Sequence, residues 1–229
     1  MTMRIVINYN VEKIISAGFF MFLKSKSVQH WARCLHVYIS MALLFVVLFF
    51  SLTGITLNRT ELFERSEPMR TQQTLQVPAK LLANDTPPYQ LDADALYLFL
   101  EQQTSLRGTP SPLDIYTEIE DEALLVGEIT FDYKSPGYNA TVFIDMVTQH
   151  AEIEITDYGV IALLNDLHKG RNSGEVWKWF IDITALLMVF FVLTGVCLLL
   201  PKKKTLRTAL KWTAFGSLLC LLIYFTAVP

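Results

Sequence analysis

From Cys34 to Asn58 the chain runs for 25 residues without an Asp, Glu, Lys or Arg. A stretch of that length can cross the hydrocarbon core of a bilayer with some tilt. A second apolar run, from about Trp177 to Leu200, is stopped by Pro201, and a shorter third extends from about Trp212 to Val228. Between the first two lies a polar block the size of a globular domain. The division this predicts is an N-terminal cytoplasmic or interfacial segment (1–30), a first transmembrane helix (31–57), an acidic exported domain (58–175), a second transmembrane helix (176–200), a basic loop (201–211) and a third transmembrane helix (212–229).

Charge is segregated along this division. Residues 56–175 carry 20 acidic and 8 basic residues, a net −12, and the remainder carries 2 acids and 11 bases, a net +9, so that the overall −3 hides both. Lys24, Lys26 and Arg33 precede the first span, and Lys202, Lys203, Lys204, Arg207 and Lys211 follow the second. Short Lys/Arg-rich flanks remain cytoplasmic. The expected topology is therefore an inner N-terminus and an outer acidic domain, with a bacterial inner membrane and its periplasm as the setting. The acidic block has no basic patch, which argues against nucleic acid. Cys34, Cys197 and Cys220 all lie in or beside apolar runs, so no disulfide framework is expected in the exported block. Ile14 to Leu23 is too short to span and lacks a signal-peptidase pattern, leaving an interfacial helix or an extension without a folded role.

Within the exported block, Thr60 to Pro88 reads as loose and Pro-containing, and Leu91 to Ser105 as a helix. Four strand-like runs follow the Gly108-Thr-Pro-Ser-Pro112 break: Asp114–Glu120, Ala123–Tyr133, Asn139–Met146 and His150–Ile155. Val147-Thr-Gln is of hairpin size, and Tyr158 to Leu167 reads as an amphipathic helix returning to the membrane. The expected fold class is a membrane protein with three α-helical spans and a small α+β domain, one helix on an antiparallel sheet, inserted between spans one and two.

The chemistry available is narrow. There is no Cys-x-x-Cys-His for covalent haem, no dinucleotide or P-loop glycine pattern, and no His-Glu-x-x-His helix. Nothing suggests a Ser/His/Asp arrangement, and no catalytic acid, base or nucleophile is nominated. Four histidines remain, His30, His36, His150 and His168. His36 lies inside the first apolar run and His168 in Asp166-Leu-His-Lys-Gly170 before the second. An ionisable residue at a membrane edge invites a functional reading, and imidazole is an axial ligand for haem iron. The plain reading is an interfacial histidine bonded to a carbonyl or lipid. The spans also share Phe-Phe-x-Leu-Thr-Gly, at 49–54 and 190–195. Gly54 and Gly195 either let helices pack closely or make room for a flat cofactor.

The neighbours carry paired readings too. Asp182 either holds a histidine N–H, or is water-exposed or paired with Lys178. Trp177 and Trp179 are interfacial anchors or lie on a porphyrin. His30 is a substitute for His36, and His150 is a turn residue. Glu118, Glu120, Asp121 and Glu122 form a solvated strand end or attract ferric iron.

A His near the start of span one, Leu-Thr-Gly, an exported domain, Leu-His-Lys-Gly, Trp-x-Trp-x-x-Asp and a second Leu-Thr-Gly together resemble the PepSY-associated transmembrane-helix family. Asp145-Met-Val-Thr-Gln149 is similar to the PepSY hairpin, departing from its Asp-Pro-x-Thr-Gly. The resemblance implies a PepSY-like exported domain and, in the branch of small inner-membrane ferric reductases, haem b. It implies His168 as an outer ligand and His36 as an inner one, with Gly54 and Gly195 beside the cofactor. His36 lies about 20 residues, roughly 30 Å of helix, from the outer end of span one, so the two cannot share an iron within one chain. A twofold homodimer with two haems would complete both sites. The substrate would be ferric iron or a ferric siderophore, in support of ferrous iron uptake, and the donor a quinol or a partner protein. The alternative is a cofactor-free membrane-anchored module that binds or regulates a periplasmic partner.

Overall fold

The structure, a computed structural model, describes residues 18, 21–63, 67–82, 91–120 and 123–229. The expectations for residues 1–17, and for Asp121 and Glu122, fall outside these. The chain divides into two units: Leu48–Ile181, and the chain up to Val47 together with Asp182–Pro229.

The second of these holds most of the apolar helix. Helix α1 (Lys26–Asn58) begins in it, α5 (Gly174–Leu199) ends in it, and α6 (Lys203–Ala227) lies wholly within it. These are three helices long and apolar enough to cross a membrane, as expected from the uncharged runs. Helix α6 begins at Lys203, so most of the basic segment expected as the loop 201–211 is helical. Lys, Leu, Arg and Ala are strong helix formers, and nothing after Pro201 breaks the run. The sequence reading took the onset of apolar residues for the onset of the helix.

Residues 48–181 carry the α/β module. After a single turn α2 (Thr60–Phe63), strand β1 (Met69–Gln76) and a 3₁₀ turn (Ala79–Leu81), helix α3 (Ala93–Gln103) is followed by β2 (Thr109–Pro110), β3 (Asp114–Glu120), β4 (Ala123–Ser135), β5 (Tyr138–Asp145), β6 (His150–Asp157) and α4 (Val160–Lys169). The sheet runs β1-β6-β5-β4-β2, with β3 also paired to β4, and every pairing is antiparallel. One helix on an antiparallel sheet is the architecture the alternation predicts.

Side-chain period sets the core. Along β5, Tyr138, Ala140, Val142 and Ile144 are buried while the residues between them are not, and Ala151 and Ile153 continue the same face on β6. Leu96 and Leu100, four apart on α3, close over this face together with Val77, Leu82, Ile129 and Phe131. Asp92 caps α3 by accepting the Ala95 N–H at 3.1 Å. Removing one of these buried leucines would cost about 2–5 kcal/mol.

Strand β1 is the element the sequence reading missed, because it lies in the stretch read as loose. It pairs with β6 along its whole length, from Met69 opposite Asp157 to Gln76 opposite His150. Met-Arg-Thr-Gln-Gln-Thr-Leu-Gln shows no apolar alternation, since an exposed edge strand needs its ladder more than a buried face. The β5–β6 connection is fixed by Asp145, whose Oδ1 accepts the N–H groups of Val147 (2.8 Å) and Thr148 (3.1 Å). Those hydrogen bonds, the Thr148 N–H first, hold its carboxyl below the usual range. Gln149 takes the left-handed conformation (φ 60°) where the PepSY pattern has glycine. Met146 stands where that pattern has proline, and its N–H donates to the Gly127 carbonyl at 2.8 Å, a bond proline could not make.

Candidate functional site

Helix α4 is the lever that sets His168. It is held to the β4–β5 turn, where the Gly137 N–H donates to Asp166 Oδ2 at 2.9 Å. Gly137 has φ 65°, and a Cβ there would lie 2.6 Å from the Leu163 backbone nitrogen, so only glycine permits this approach. The helix ends at Gly170, which adopts the left-handed conformation and lets the Arg171 N–H reach the Asp166 carbonyl at 2.9 Å. Leu-His-Lys-Gly is thus a helix terminus, with His168 in its last turn.

The His168 ring meets the outer of the two Leu-Thr-Gly motifs. Its Nδ1 is 2.6 Å from Thr53 Oγ1. With the Thr53 hydroxyl donating to the Phe49 carbonyl at 2.7 Å, it accepts from the imidazole. This arrangement corresponds to the Nδ1–H tautomer of His168, with the lone pair on Nε2. Phe50 packs edge-on to the ring, with centroids 5.0 Å apart, and a Cβ on Gly54 would sit 3.7 Å from the histidine Cε1. Burial, and then the Lys169 charge, push the His168 pKa below its ordinary 6.5, which keeps the ring neutral at pH 7. Alongside, Thr56 donates to the buried Asn165 (2.6 Å), and Trp177 Nε1–H donates to the Leu167 carbonyl (2.8 Å).

The same seat is built a second time within the other unit. His36 Nδ1 lies 3.1 Å from the Phe191 carbonyl and 3.1 Å from Thr194 Oγ1. The Thr194 hydroxyl donates to that same carbonyl at 2.8 Å. A carbonyl can only accept, so this ring too carries its proton on Nδ1. Phe191 stacks on it at 4.4 Å between centroids, and a Cβ on Gly195 would lie 3.1 Å from His36 Cε1. In each repeat, Phe, Thr and Gly at positions two, five and six hold one histidine. Among the described residues, neither Nε2 has a hydrogen-bond partner.

Both glycines singled out from sequence thus face a histidine edge, tightly at Gly195 and at ordinary contact distance at Gly54. The threonines and second phenylalanines of the repeat were missed, although Phe-Phe-x-Leu-Thr-Gly occurs twice. Asp182 is exposed, the water-exposed alternative of its reading, and the histidine N–H groups go to threonine and carbonyl oxygens; Lys178 pairs with Glu175 at 2.7 Å. Trp179 is exposed. His30 is exposed and its Nε2 lies 3.7 Å from Cys34 Sγ, and His150 bonds the Thr148 carbonyl in its turn (2.9 Å). Glu118 accepts from the Tyr116 hydroxyl on an exposed strand.

Residues 30–229 match the family described as "Putative PepSY_TM-like". The chain belongs to that family. No curated protein and no solved structure matches it. The PepSY_TM-like assignment covers all three spans and the whole α/β module, so both histidine seats lie within the matched region.

As for cofactors, among the described residues no three His, Cys, Asp or Glu side chains gather as they would for a bare metal ion. A haem iron asks less of a chain, one or two axial nitrogens. A neutral imidazole with Nδ1–H engaged and Nε2 free is the form in which histidine binds a metal. The donor set at His36 and His168 fits.

Proposed function

We propose that this PepSY_TM-like protein is a b-type haem protein of a bacterial inner membrane, in which His36 and His168 would hold the haem iron. It would carry electrons outward to reduce ferric iron, free or chelated, in the periplasm. The observation that carries the reading is the repeated seat: twice, a threonine or carbonyl oxygen takes the Nδ1–H of a histidine and leaves Nε2 basic. Bound haem supplies a one-electron redox centre, with position and potential set by the protein. Thr53 and Thr194 fix ring orientation and tautomer, Phe50 and Phe191 limit ring rotation, and Gly195 makes room for the His36 edge, while Gly54 lies at ordinary contact distance from His168. The segregation of basic flanks from the acidic module supports an inner N-terminus and a periplasmic domain. The electron enters from a quinol or a protein donor and leaves to ferric iron, giving ferrous iron. In a homodimer, the symmetry mate of each histidine would supply a second nitrogen donor for the same group.

A second reading is favoured by the α/β module. It is a membrane-anchored interaction domain without a cofactor, in which the histidines simply tie helices together. Strand β3 is exposed along its whole length and, among the described residues, pairs only with β4, as an edge open to a periplasmic partner would be.

The deciding experiment is the reduced-minus-oxidised visible spectrum of the detergent-purified protein, expressed with ample haem, beside His36→Ala and His168→Ala. The haem reading expects a b-type spectrum diminished in each variant. Folded wild-type protein with no Soret band refutes it and leaves the interaction domain.

A further inference from the structure

Of the eight Lys/Arg in the strongly acidic segment 56–175, three converge on one cavity. Lys134 comes from the end of β4, Lys169 from the last turn of α4 and Arg171 from the turn after it, around a hollow of about 450 Å³. In a domain of net −12 this gathering of cations is against the prevailing charge. Among the described residues, Asp166 is the one carboxylate in the lining. It is already engaged by the Gly137 N–H at 2.9 Å and lies 3.8 Å from Arg171 Nε. Lys134 is paired with Asp132 at 3.0 Å, outside the lining. Lys169 has no ion-pair partner among the described residues. The lining therefore keeps a positive excess. Neutral donors stand beside it in Asn139 and Tyr158.

We infer that this cavity is an oxyanion-binding site, taking a ligand with two or more anionic oxygens, phosphate or clustered carboxylates. Arg171 offers a planar fork for such a group and the two lysines offer point charges. Two sources share that chemistry. One is a soluble polycarboxylate, including a carboxylate chelate of a metal ion. The other is the phosphate of an anionic lipid, since the lining runs from Thr60, just past the end of α1, to Asn172, just before α5 begins. Lys169 is the chain neighbour of His168 and its charge acts on that ring, but the anion chemistry of the cavity does not involve haem.

The test uses the full chain in nanodiscs of phosphatidylcholine, titrated with citrate and followed by calorimetry. The variants are Lys169→Gln with Arg171→Gln, and as a control Arg70→Gln, a surface cation of the same module outside the cavity. In parallel, native mass spectrometry records retention of phosphatidylglycerol from mixed nanodiscs. The expected result is saturable citrate binding weakened at least tenfold by the double variant and unchanged by Arg70→Gln, or the same dependence for retained phosphatidylglycerol. The first assigns a soluble anion and the second a lipid headgroup. Absence of both in folded protein, or binding equally reduced by Arg70→Gln, overturns the site. Neither readout involves haem, so a chain without a b-type spectrum can still pass or fail here.

Discussion

Thr53→Val is the sharpest probe of the histidine seats, because it is nearly isosteric and removes one oxygen. Its shortest bonds are to His168, from which it accepts at 2.6 Å, and to the Phe49 carbonyl, to which it donates at 2.7 Å. The second returns to the backbone of its own helix and carries little. The first leaves an imidazole N–H without a partner in a half-buried position. Interhelical side-chain hydrogen bonds in membrane proteins average about 0.6 kcal/mol and reach about 1.7. An orphaned buried donor costs about 1–3 kcal/mol. The expected loss is about 1 kcal/mol, measured as the shift in unfolding midpoint in a fixed detergent. Thr53→Ser, which keeps the oxygen, should recover most of it. In a double-mutant cycle with His168→Ala, the Thr53→Val penalty should largely vanish, since no N–H remains to be orphaned. If haem is bound, loss of the orienting oxygen should weaken loading about 10–100-fold while leaving the wild-type protein's other seat intact. The reasoning is refuted if the cycle shows additive penalties and Thr53→Ser behaves like Thr53→Val.

The two glycines should respond differently to alanine. Gly195→Ala puts a methyl 3.1 Å from His36 Cε1 and should displace that ring, whereas Gly54→Ala, at 3.7 Å from His168, should be tolerated and gain up to about 1 kcal/mol from helix propensity; thermal unfolding of both variants checks the order. Stability should depend on pH through His168: its folded pKa lies below 6.5, so its contribution is complete above about pH 6.5 and is lost as pH falls from there towards the folded value. Unfolding midpoints at pH 7.5 and 5.5 should differ less in His168→Gln than in the wild type. Gln149→Gly should stabilise the β5–β6 turn by about 1 kcal/mol, because a residue with φ 60° is replaced by one that takes that conformation freely, as chemical denaturation would show.

Much of this protein is written in local patterns. An uncharged run of 25 residues has few fates other than a membrane span, and alternation along β5 and β6 is read two residues at a time, whatever the rest of the chain does. His36 and His168 announce themselves because ionisable side chains beside apolar runs are costly, and the family follows from motif order. Edge strand β1 had no such signal, since its support is the ladder to β6, eighty or so residues further on. The site itself is a matter of convergence. Thr53 and His168 are 115 residues apart in sequence, and His36 and Thr194 are 158. Each histidine is held by the Leu-Thr-Gly of a helix other than its own, a crossing no single stretch encodes. Likewise Lys134, Lys169 and Arg171 look like scattered surface cations until the bond from Gly137 to Asp166 brings β4 and α4 together. Hydrophobic period and charge are properties of neighbours along the chain. Tautomer, ring orientation and the joint field of three cations belong to neighbours in space, and only packing supplies those.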